Sequence, residues 1–266
     1  MSGRRWRWPV PALAGWLLLS ACASPTPLPA DREPRAASDQ TDPERRARVR
    51  LELAGLYLAR GQNSTALDEV KRAIAAKPDI AEAYSLRGLV YASMGEPALA
   101  EESFQRALQL APRDGDAMHN FGWFLCQRQR FGEADAQFSS ALQQTQYREA
   151  VRTLLAQGVC QARAGRWADA ERSLSRSYEL DPSNPVTAYN LSEVLMRRGE
   201  FDRARFYVGR INAVPELTTA QSLWLAVRIE RKLGNQQAVQ DQGRRLLDRY
   251  PQSEEAARFE RGRFDE

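Results

Sequence analysis

The chain repeats itself every 34 residues, and no other feature restricts its fold as tightly. Gly61 and Gly95 are 34 apart, as are Tyr57 and Tyr91, Ala66 and Ala100, Ala73 and Ala107, and Pro78 and Pro112. Gly165 and Gly199 keep the interval, and Gly234 comes one residue late. A unit of this length cannot bury its own apolar face, so copies must stack and share a continuous core. Ala, Leu, Arg, Glu and Gln, all strong helix formers, dominate each unit, and long β-branched runs are missing. With 43% hydrophobic and 27% charged residues, the composition is that of a soluble globular protein. The expectation is an all-α superhelical solenoid forming one domain, not two.

The second copy contains "AYSLRGLVYASMGEPALAEESFQRALQLAPRD", beginning at Ala83. It resembles the tetratricopeptide repeat (TPR) at Gly88, Tyr91, Gly95, Ala100, Phe104, Ala107 and Pro112. Gly88 and Ala100 are small, so two helices can approach closely, while Tyr91 and Phe104 fill the space between them. Gly95 suits the turn joining the helices, and Pro112 ends the second helix. About six copies are expected, at residues 47–80, 81–114, 115–148, 151–184, 185–218 and 220–253. The third has Gln129 in place of the turn glycine and no closing proline, but keeps Gly122, Ala134, Phe138 and Ala141. The sixth is the weakest. The last segment, "EEAARFERGRF", reads as part of a C-terminal capping helix, which a repeat array needs at its end.

The first residues follow a different logic. Arg4, Arg5 and Arg7 precede a short apolar run from Val10 to Leu19 and the small residues Ser20 and Ala21. This is the layout of an export signal over residues 1–21, and the apolar run is too short to span a bilayer. "LSAC", ending at Cys22, resembles the lipobox of bacterial lipoproteins. The resemblance implies cleavage before Cys22, lipid on its thiol, and attachment to a membrane; acylation by more than one chain anchors stably. An ordinary signal with an incidental cysteine is the alternative. Residues 22–46, with Pro25, Pro27, Pro29, Pro34 and Pro43, are polar and read as a tether. Removing the signal's three arginines takes the formal charge from +4 to +1 (4 − 3), which gives no case for nucleic-acid binding.

Catalysis lacks material. His119 is the only histidine, which leaves no triad and no multi-histidine metal site. There is no phosphate-binding glycine loop. The carboxylates fall beside arginines at helical spacing, as solvated pairs do. No cofactor and no metal are expected, and the chain is read as a non-enzyme. A solenoid instead offers a concave surface built from the first helix of each repeat. Repeat positions 2, 5, 9 and 12 share one helix face. This places Leu51, Leu58, Ser85, Leu89, His119, Trp123 and Tyr189 on a partner groove, with Leu155 and Val159 extending the line. Apolar side chains on a wet face suit an apolar or helical partner segment.

The third repeat carries "HNFGWFLC", His119 to Cys126, which is unusually aromatic for a generic repeat helix. With the lipobox and six repeats, the chain resembles the TPR lipoproteins of type IV pilus biogenesis, of the outer-membrane pilotin kind. The resemblance implies a protein anchored in the outer membrane, facing the periplasm, that helps the pilus secretin assemble or localise. A general envelope scaffold for outer-membrane or cell-wall machinery is the alternative. The chain is expected to be monomeric. Cys126 and Cys160 are 34 apart, in the first helices of consecutive repeats. With Cys22 given to lipid, they form an even pair in an oxidising compartment, and neighbouring helices can bring Cα atoms within disulfide reach. A bridge stapling repeats three and four is expected, with two buried free thiols as the alternative.

Overall fold

Within each repeat, apolar and small residues recur at three- and four-residue intervals, and each repeat accordingly forms two helices. The computed structural model describes residues 42–264. The signal, Cys22 and most of the tether lie outside them. The repeats are the pairs α1 (Pro43–Ala59) and α2 (Asn63–Ala76), α3 (Ala81–Ser93) and α4 (Pro97–Leu110), and α5 (Gly115–Gln127) and α6 (Phe131–Leu142). They continue as α7 (Ala150–Arg163) and α8 (Trp167–Leu180), α9 (Pro185–Arg197) and α10 (Phe201–Asn212), and α11 (Ala220–Lys232) and α12 (Gln236–Arg249). A short α13 (Glu254–Glu260) closes the stack. No strand occurs among the described residues.

The first helix starts earlier than the repeat period alone indicates. Asp42 caps it by accepting from the Glu44 amide, and Pro43 occupies the first turn, where its missing N–H costs nothing. Residues 43–46 therefore belong to the helix, not to the tether.

Helix pairing rests on close approach at one register. A Cβ on Gly88 would stand 2.8 Å from the Phe104 ring, and one on Gly122 would stand 3.0 Å from Phe138. Gly158 stands in the same relation to Leu174. Phe104, Phe138 and Leu174 are fully buried, each contributing roughly 1.5–3 kcal/mol of hydrophobic stabilisation. Phe104 also packs on Phe121 and Phe124, with centroids 5.5 and 5.4 Å away, which ties the second repeat to the third.

Each of the six turns inside a repeat passes through a left-handed residue. Five use glycine, at φ between 71° and 79°. The third uses Gln129 at φ 60°, so the turn persists where its usual residue is missing.

The third and fourth repeats are joined differently from the others. Residues 143–149 lengthen the connection, and Tyr147 within them reaches both α5 and α7. Its ring lies against Gly115, where a Cβ would come within 2.5 Å. Its hydroxyl pairs with Thr153 Oγ1 at 2.6 Å. Gln157 and Gln161 both donate to Asp135 Oδ1 at 2.8 Å, and Arg166 pairs with the same carboxylate. Burial works to raise the Asp135 carboxyl, but these partners outweigh it and hold it below its ordinary range. A disulfide joins Cys126 on α5 to Cys160 on α7, with Cα atoms 5.8 Å apart.

At the far end, α13 packs on α11 and α12. Phe259 rests over Gly243, and Phe264 stacks on Trp224 at 5.7 Å with Arg231 over its other side at 4.3 Å.

Candidate functional site

The first helices of successive repeats touch one another in order, α1 to α3, α3 to α5, α5 to α7, α7 to α9 and α9 to α11. They form one continuous layer, and its open side carries two hollows. The first, of about 420 Å³, spans α1 to α7. Leu51, Ser85 and Leu89, all expected on the groove, line it together. Leu51 and Ser85 are only 3% and 5% exposed, so they form its floor, and Leu89 is more open. Asn120 donates to Ser85 Oγ at 3.1 Å. Glu82, Asp114, Asp116 and Arg152 stand at the rim, with Arg152 and Asp116 paired at 2.7 Å.

The second hollow, of about 330 Å³, lies between α7 and α9 and reaches the start of α8. Val159, Trp167, Asn190, Arg163 and Arg197 line it, with Glu193 as its one carboxylate. Trp123 occupies the same repeat position as Leu89 and Val159, and the Arg163 guanidinium lies over its ring at 5.3 Å. Trp123 is half-buried.

Four expected groove residues sit elsewhere. His119 is 8% exposed. Its Nδ1 meets Thr153 Oγ1 at 2.8 Å, and its ring packs 5.8 Å from Phe138. It is therefore part of the junction between repeats three and four, closed to a partner. Burial, helped by Arg152, pushes its pKa down to about 4, so the ring is neutral at physiological pH. Leu58 is half-buried against the core of the first repeat. Tyr189 lines a separate hollow with Val186, Ile211 and Leu217. Burial and the nearby Glu193 push its hydroxyl up to about 12, against the opposing charge of Arg228. Leu155 packs into the core beside α9 and α10.

Position 5 of each repeat lies deeper than one helix alone indicates: Leu51 and Ser85 form the floor of the first hollow, and His119 is enclosed against Thr153. Position 9 is half-buried in each repeat.

The description "Tetratricopeptide repeat" matches residues 81–114, 125–185 and 161–215. The type IV pilus assembly protein PilF of Pseudomonas aeruginosa is 27% identical over 230 residues, covering 86% of this chain and 90% of PilF. The solved structure of PilW, a widely conserved type IV pilus biogenesis factor, superposes with a TM-score of 0.72 at 29% identity. It covers 79% of this chain and 96% of PilW. The solved P. aeruginosa PilF gives a TM-score of 0.69 at 25% identity, over 83% of this chain and 99% of PilF. The chain is a TPR protein homologous to PilF and PilW.

In this TPR layer, the open face holds Leu89, Trp123 and Val159 at position 9 of the second to fourth repeats, Glu82, Asp116 and Arg152 at position 2 of the same repeats, and Arg163 and Arg197 at position 13 of the fourth and fifth. Asp116, Arg152, Arg163 and Arg197 are site residues that the apolar pattern did not single out. Arg163 and Arg197 are 34 apart, a signal present in the sequence. Asp116 and Arg152 are 36 apart, a spacing that only the lengthened loop after the third repeat explains. Among the described residues no group of three or more His, Cys, Asp or Glu stands together as a metal site. None of the described helices is long and apolar enough to cross a membrane. The arrangement offers shape, apolar contact and charge to another protein chain.

Proposed function

We propose that the chain serves type IV pilus biogenesis as a non-catalytic adaptor, held by lipid on Cys22 in the outer membrane and facing the periplasm. It helps the pilus secretin assemble or localise, and the concave face is the surface that engages its partner. The observation that carries this reading is the extent of the match, which takes in 96% of PilW and 99% of PilF as solved. A shared repeat alone would support only protein binding. The one histidine, neutral and enclosed by the third and fourth repeats, supports the non-catalytic part.

The decisive measurement is the state of secretin multimers on a denaturing gel, taken in a strain lacking this gene and complemented with variants. Loss of multimers on deletion, restored by the intact chain, is expected. Leu89→Ala removes apolar surface from the first hollow and should restore them only in part, with the protein still folded. Cys22→Ser should lose palmitate labelling and membrane attachment. Normal multimers and normal pili in the deletion strain would remove the pilus role and leave the general envelope scaffold.

A further inference from the structure

The two hollows of the concave face carry opposite charge. Around the first, the rim holds Glu82, Asp114 and Asp116 against Arg152 alone. The second holds Arg163 and Arg197 against Glu193 alone.

The arginines of the second hollow are not engaged by carboxylates of the fold, unlike four arginines that stand at junctions between repeats. Arg130, Arg152, Arg198 and Arg203 each keep a carboxylate from a neighbouring repeat in ion-pair contact. Among the described residues no carboxylate comes within 4.0 Å of Arg163 or Arg197. Both are exposed, at the same repeat position on consecutive first helices. Glu193 precedes Arg197 by one turn and does not reach it. The Trp123 ring beneath Arg163 holds that guanidinium over the groove. Beside them Trp167 is 37% exposed, an aromatic surface left uncovered at the edge of the same hollow.

We propose that the hollow between the fourth and fifth repeats binds an acidic peptide segment of a partner protein. Side-chain carboxylates of the segment pair with Arg163 and Arg197, and an adjacent apolar side chain lies against Trp167 and Val159. A planar guanidinium suits a carboxylate through two parallel hydrogen bonds, and two such pairs side by side add to one another. The acidic rim of the first hollow repels such a segment, so charge fixes where along the groove it sits. This inference rests on the reading of the concave face as the partner surface.

The test uses the soluble chain from residue 23 onward and a short peptide of alternating acidic and apolar residues, amidated so that only side-chain carboxylates are offered. Binding is read by fluorescence anisotropy at low and high salt. A lysine counterpart of the peptide and a version with a free terminal carboxylate are the comparison arms. The acidic peptide should bind, weaken with salt, and lose at least about tenfold in affinity in Arg163→Gln/Arg197→Gln, as expected when two charge pairs are removed. Arg176→Gln, which removes an arginine paired with Glu179 on α8 and outside both hollows, should leave it unchanged. The lysine peptide should not bind, and the free terminus should add little. Arg163→Glu/Arg197→Glu should reverse the preference, which also shows that the altered chain is folded. No binding of the acidic peptide, equal binding of both peptides, or an unaffected double variant would each overturn the proposal. Lost secretin multimers on gene deletion, with no charge preference here, would keep the adaptor role and remove this site.

Discussion

Folding stability should fall on mild acidification because of His119. The perturbation is a drop in pH from 7 to 4, compared between the native chain and His119→Gln. The imidazole is buried against Phe138, bonded to the Thr153 hydroxyl, and close to the Arg152 charge. In the unfolded chain it titrates near 6.5; in the folded chain near 4. The unfolded state therefore takes up the proton first. The stability tied to the neutral ring is complete above pH 6.5, shrinks as pH falls through that window, and levels off below pH 4. At about 1.4 kcal/mol per pH unit, the interval amounts to about 3 kcal/mol. Because His119 is the only histidine, the native-minus-variant difference isolates it from the carboxylates, which titrate in both proteins. Urea unfolding followed by circular dichroism gives the two curves, and the single imidazole resonance in NMR gives the folded pKa directly. An NMR pKa near 6.5, or parallel curves for the two proteins between pH 7 and 4, would refute the argument.

Three further outcomes follow from other parts of the fold. Gly243→Ala places a methyl about where the Phe259 ring now lies, 1.9 Å from its nearest atom; it should cost about 1–3 kcal/mol and raise amide exchange in α13 first. Replacing both Cys126 and Cys160 by Ser should cost about 3–4 kcal/mol for the release of a 34-residue separation. Thiol labelling of the unreduced native protein reports the same bridge, and two free thiols per chain would sink it. Gln129→Gly should stabilise the chain by about 0.5–1 kcal/mol, because a side chain at φ 60° is strained where glycine is not; an unchanged melting temperature would count against that account.

Much of the architecture was readable from spacing alone. The 34-residue interval and the glycine and aromatic positions within it dictated paired helices and their close contact, since Gly88 and Phe104 make sense only together. Even the turn at Gln129 was legible, because its neighbours kept the period. The groove was harder to read. Ser85 and Leu51 lie on a first-helix face that looks open when one helix is considered, and only the adjacent repeat turns it into a floor. His119 shares that position and is bonded to Thr153, which Tyr147 braces from a loop whose length departs from the repeat. The Asp116–Arg152 pair depends on the same departure. Asp42 and Pro43 did carry a helix-start signal, which a reading guided by the repeat period passes over.

The joint between the third and fourth repeats gives the solenoid uneven mechanics. A stack of repeats stretched along its axis behaves as springs in series, each junction extending according to its own stiffness. Here the middle junction is crosslinked by Cys126 and Cys160 and braced by the Tyr147–Thr153–His119 chain, so it takes up the least extension. Pull applied between the two ends of the stack would be absorbed by the outer repeats. The centre would keep its curvature, and with it the shape of the first hollow, which spans the joint from α5 to Arg152 on α7.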